Sequence, residues 1–150
     1  MVDGIKDSEI GYAGFKTKKF FKEYLEKAIF GNEKIKKIPK YTFNQKEIVN
    51  IIERTIRTCH NRVSSSSTKI FIFPTYDSFV KNKMSGTSGF TPWKNTILIF
   101  IYPTEGWQNA FKKTIVHEYA HSIGLKYHKC ETLLDSIIFE GIAENFQIFV

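Results

Sequence analysis

The sequence predicts an α+β fold in which a small sheet packs against the third of four helices, and two helices precede that sheet in the chain. Three observations carry this reading. Four stretches repeat apolar residues at helical spacing, and two short runs rich in β-branched and aromatic residues each stop at a proline. The order along the chain is helix, helix, strand, loop, strand, helix, helix. The 150 residues, 42% of them hydrophobic, suffice to bury a core without disulfides or metal, so 1–150 reads as one domain, with 1–68 a helical N-terminal part. No period of about 20–50 residues repeats, which excludes solenoids and propellers.

Residues 1–16 show no periodicity. From Thr17 to Phe30 the positions Phe20, Phe21, Tyr24, Leu25, Ala28 and Ile29 recur at helical spacing, and Gly31 follows as a C-cap. After a Lys-rich connector, Thr42-Phe-Asn-Gln45 has capping-box form, and Ile48, Ile51, Ile52, Ile56 and Cys59 mark one face of a second helix. The Ser64–Ser67 run with Thr68 breaks the chain before a strand at Lys69–Phe73, which Pro74 ends. Met84–Trp93 is rich in turn formers and reads as a loop. A second strand, Thr96–Tyr102, stops at Pro103, and helices follow at Trp107–Ile123 and Glu131–Phe149, with Gly124 near the C-cap of the first.

Charge and cysteine content narrow the function classes. The formal charge is +7, and residues 1–62 hold most of it, with 14 Lys and Arg against 8 acids. Nineteen of the 22 cations are Lys and no arginine-rich or aromatic-interleaved motif appears, so this half reads as a solvated face and no nucleic acid is expected. The longest apolar run, Ile97–Tyr102, is far short of the ~20 residues a membrane span needs. The first twenty residues lack the apolar segment of a secretory signal, which predicts a cytoplasmic protein. Cys59 and Cys130 read as free thiols in a reducing compartment, and His60, with no other ligand at metal spacing, reads as ordinary.

The third helix carries His117-Glu118-Tyr119-Ala120-His121. Four residues turn a helix by about 400°, so the two imidazoles stand about 40° apart on one face and about 6 Å apart along the axis, where they can share one metal. Glu118 lies beside that metal, placed to take a proton from a water. A catalytic zinc wants three protein ligands and an open fourth position. Glu140-Gly-Ile-Ala-Glu144, separated from His121 by eighteen residues, supplies a candidate third in Glu140. Gly141 would let the last helix approach the third, and Glu144, one turn on, is placed to hold the second nitrogen of a ligand histidine. Gly124 also fits a pattern whose third histidine would fall at position 127, but Tyr127 stands there, His128 misses by one and no methionine follows, so Glu140 is favoured.

The H-E-x-x-H, the eighteen-residue spacing and Glu140 in an E-G-x-A setting resemble the gluzincin metallopeptidases. With Gly86-Thr-Ser-Gly89-Phe-Thr-Pro92, Ile97–Pro103, Trp107 and Thr132–Glu144, roughly residues 69–146 look like a bacterial family of predicted zinc-dependent proteases of unknown function. The resemblance implies a zincin-like fold, His117, His121 and Glu140 as Zn²⁺ ligands, Glu118 as general base and Glu144 as an acidic neighbour of a ligand. It implies hydrolysis of a peptide or protein substrate by a zinc-activated water, with an extended peptide added to Thr96–Ile101 as an edge strand, although the continuous apolar run of that strand equally suits an interior, unavailable one. Gluzincins usually continue into a second subdomain that brings a Tyr or His to the oxyanion. This chain stops six residues after Glu144 and reads as truncated or minimal. Two other readings stay open: a zinc-binding but inactive interaction module, and a basic nucleic-acid-binding domain with an accidental motif.

Overall fold

The computed structural model describes residues 17–31, 43–65, 67–102 and 105–150, and it has the expected α+β architecture. The aperiodic segment 1–16, most of the Lys-rich connector, Thr42 of the capping box and Pro103 lie outside the described residues. In order come α1 (Lys18–Phe30), α2 (Gln45–Arg62), β1 (Lys69–Pro74), α3 (Ser78–Lys83), β2 (Thr87–Trp93), β3 (Thr96–Ile101), α4 (Trp107–Gly124) and α5 (Leu133–Phe149).

The helix ends follow local chemistry. Thr17 caps α1 by accepting from the Phe20 amide, and Gly31 ends it at φ 61°, a left-handed turn that costs a residue without Cβ little. Asn44 caps α2 by accepting from Glu47. Thr132 and Asp135 form a reciprocal capping box at α5, two residues inside the expected start. The short α3 was not expected. Its start follows from Asp77, whose carboxylate accepts from the Phe79 amide.

The sheet order is β1-β3-β2, with β1 parallel and β2 antiparallel to β3. Two expectations are corrected here. The stretch Gly86–Trp93 is mostly strand, not loop: Thr87 to Phe90 pair with Ile101 to Leu98, and the ladder shifts register around Thr91-Pro92 before Trp93 meets Thr96. Pro92 has no N–H to give, so it is tolerated only on such an edge or bulge. Thr96–Ile101 is the central strand and not an edge. All six of its residues are buried because both its faces are covered, which is what a continuous apolar run serves.

Alternation along β3 sorts the two layers. Ile97, Ile99 and Ile101 face Phe111, Ile115 and Val116 of α4 together with Ile48 and Cys59 of α2. Leu98 and Phe100 face Phe21 and Leu25 of α1. Helix α5 packs back on α4, buries Ala143 and leaves Leu133, Leu134, Ile137, Ile138 and Ile142 exposed. Cys59 is buried and Cys130 exposed, both as free thiols, and burial pushes the Cys59 thiol up to about 11. No helix among the described residues is long and apolar enough to cross a membrane.

Candidate metal centre

Helix α4 is covered on most sides by the sheet, α2 and α5, and its remaining face opens on a cleft of about 550 Å³. His117 and His121 stand on that face with side chains 18% and 9% exposed. Their Nε2 atoms are 2.9 Å apart, and Glu140 Oε2 of α5 lies 3.1 Å from His117 Nε2 and 3.4 Å from His121 Nε2. Three acceptor lone pairs aimed at one point repel unless a cation or proton lies among them. In a tetrahedral site with bonds of 2.0–2.1 Å, ligand atoms stand about 3.3 Å apart, and the three separations found here bracket that value. The donor set, two imidazoles and a carboxylate, therefore fits zinc. Among the described residues, these three form the group whose ligand atoms lie within 4.8 Å of one another.

The opposite nitrogens differ. His117 Nδ1 lies 3.3 Å from Glu144 Oε1 and 3.1 Å from Gln147 Nε2. In the tautomer with its proton on Nδ1, facing the Glu144 carboxylate, His117 keeps the Nε2 lone pair for a metal. His121 Nδ1 is buried with no hydrogen-bond partner, and the ring is held instead by stacking on Phe139 at 4.4 Å. Burial and the nearby His117 lower the His121 pKa, which favours the neutral, ligating form.

Glu118, about 100° round the helix from His117, lines the same cleft on the side of β2. It is buried, and its Oε2 accepts a 2.7 Å hydrogen bond from the Thr91 hydroxyl. Burial is the main cause that lifts its pKa to about 7; the Thr91 bond opposes the shift and Glu140 adds to it. Gly89 makes room for it, since a Cβ there would lie 2.4 Å from Glu118 Cγ and 2.6 Å from Oε1. So Gly89 serves close approach, not a turn. Phe139 and Gln147 line the cleft without having been anticipated, and Gly89 and Thr91, although part of the motif segment, were not expected to meet Glu118.

Gly124 and Gly141 differ in what surrounds them. A Cβ on Gly141 would meet nothing within 4 Å, so it is not what brings α5 close. A Cβ on Gly124, which ends α4 beside its C-cap as expected, would lie 2.4 Å from Phe139 Cε2, so the close approach occurs there. His128, the rival ligand, pairs with Asp135 at 3.2 Å and stands outside the group of three.

The edge strand β2 forms the wall of the cleft opposite α5, with Thr87 to Thr91 all contributing to its lining. Compared with known proteins, residues 48–150 match the family described as predicted Zn-dependent protease (DUF2268). None of the curated proteins and none of the solved structures matches the chain.

Proposed function

We propose, for a chain that belongs to the family of predicted Zn-dependent proteases, that His117, His121 and Glu140 hold a zinc ion and that Glu118 is the general base of peptide-bond hydrolysis. This makes the domain gluzincin-like, with a glutamate as third ligand. The observation that carries the reading is the convergence of His117 Nε2, His121 Nε2 and Glu140 Oε2 beside a buried carboxyl group.

Bound zinc supplies Lewis acidity: it lowers the pKa of a water and polarises a carbonyl. The chain's own groups do the rest. Glu118, with a pKa near neutrality and anchored by Thr91, takes the water's proton and returns it to the leaving amine. Glu144 orients His117 through Nδ1, and stacking on Phe139 fixes the ring of His121. Among the described residues β2 lies at the edge of the sheet and lines the cleft, so it takes over from β3 the role of receiving an extended peptide.

The test is cleavage of a randomised peptide library by zinc-loaded protein, wild type beside Glu118→Gln. The expected result is cut peptides from the wild type and none from the variant, with zinc retained in both. Zinc binding without any cleavage by wild type would favour an inactive interaction module instead, and turnover by Glu118→Gln would remove Glu118 as the base.

A further inference from the structure

Two exposed lysines line the cleft, and their charge bears on what the site takes. Strand β2 and helix α4 run past one another in the same direction, since Thr87 meets Thr114 at 2.9 Å and, further along both, Thr91 meets Glu118. Upstream on α4, Lys113 stands four residues before His117, on the same face and about 6 Å along the axis. Lys83 closes α3, four residues before β2 begins, so it lies at the same end. Both lysines line the cleft and both are exposed. Neither is paired with another described residue.

The acids of the cleft are already engaged. Glu118 holds Thr91, Glu140 faces His117 and His121, and Glu144 faces His117. The two lysines share the cleft with Met84, Ser85, Thr87, Ala110 and Thr114, and its three carboxylates, Glu118, Glu140 and Glu144, are turned to Thr91 and to the two histidines. A substrate meeting this end encounters two ammonium groups that no described residue pairs.

We propose that the cleft selects peptides carrying a carboxylate one or two residues from the scissile bond, received by Lys83 and Lys113. This rests on reading the site as a peptidase. The spacing follows from geometry: an extended chain advances about 3.3 Å per residue and turns alternate side chains to the same side, so a group one helical turn from the metal ligands is one or two residues away. A carboxylate there replaces water around the ammonium groups without displacing any partner they already have. The carboxylate is either an Asp or Glu side chain or the C-terminus of a short peptide.

The experiment uses randomised decapeptides, synthesised once with free and once with amidated C-termini. They are captured by zinc-loaded Glu118→Gln protein and, in parallel, offered to wild type for cleavage. Acidic residues should be enriched about fivefold among captured or cut peptides, the size of an exposed ion pair, and less so at high salt. Enrichment in both libraries assigns a side-chain carboxylate; capture of free-ended peptides alone assigns the C-terminus. Lys83→Glu with Lys113→Glu should reverse the preference towards Lys and Arg, while unchanged zinc content reports an intact fold. Acidic enrichment or a free-end preference that survives the double substitution, or the absence of both, overturns the proposal. Cleavage without acidic preference overturns it and leaves the peptidase reading standing. Acidic capture without cleavage by wild type does the reverse.

Discussion

At the scale of the residue, the site depends on how close Glu118 can stand to an edge strand. Gly89→Ala would push a methyl group into the Glu118 side chain at contacts of 2.4 to 2.7 Å, so either β2 or the carboxyl group must move. A base displaced by about 1 Å costs on the order of 100-fold in rate. Gly89→Ala should therefore lose about that much hydrolysis while keeping its zinc, which paired peptide assays and metal analysis check. Glu118 also leaves a thermodynamic mark in metal-free protein. Its folded pKa, about 7, stands above the usual carboxyl value of 4.5, so between those values the folded chain binds more protons than the unfolded one. Stability from this group is then full below pH ~4.5 and falls as pH rises towards 7. The shift corresponds to about 3 kcal/mol. Chemical denaturation from pH 4.5 to 7.5 should show this decline in metal-free wild type and a flatter profile in Glu118→Gln; parallel profiles would remove the burial argument.

At the scale of the element, α4 and α5 make the metal centre, and their junction depends on one glycine and not another. Gly141 faces open space inside α5, so Gly141→Ala should stabilise by up to ~1 kcal/mol and raise the melting temperature by about 2–4 °C. Gly124→Ala should lower it, because Phe139 must leave His121 to admit the new methyl group. Thermal melts of the two variants decide the point, and the opposite order would restore Gly141 as the packing contact. The same helices show what could be read in advance. His117, Glu118 and His121 are legible because helical geometry alone puts them together, and Glu140 because metal chemistry asks for a third ligand. Strand β2 was not legible: Gly89, Thr91 and Pro92 have the composition of a turn, and they are strand because β3 pairs with them. Thr91 and Glu118 are 27 residues apart in the chain, and no local pattern announces that bond. The central place of β3 was within reach, since its unbroken apolar run already suits a strand covered on both faces.

At the scale of the whole molecule, the sheet holds α4 from one side and α5 closes the cleft from the other, so the three candidate ligands come from two helices joined by residues 125–132. The N-terminal helices do different jobs: α1 covers the far face of the sheet, while α2 joins the core beneath α4. What this arrangement predicts for the intact protein is a single tight zinc site that needs both helices. The most direct measurement is zinc content by plasma mass spectrometry, on wild type and Glu140→Ala purified without chelator or affinity nickel. About one zinc per chain in the wild type, and markedly less in the variant, is the predicted result. Wild-type protein that holds no zinc after zinc is offered and dialysed away, or a variant that holds it equally well, would contradict the account.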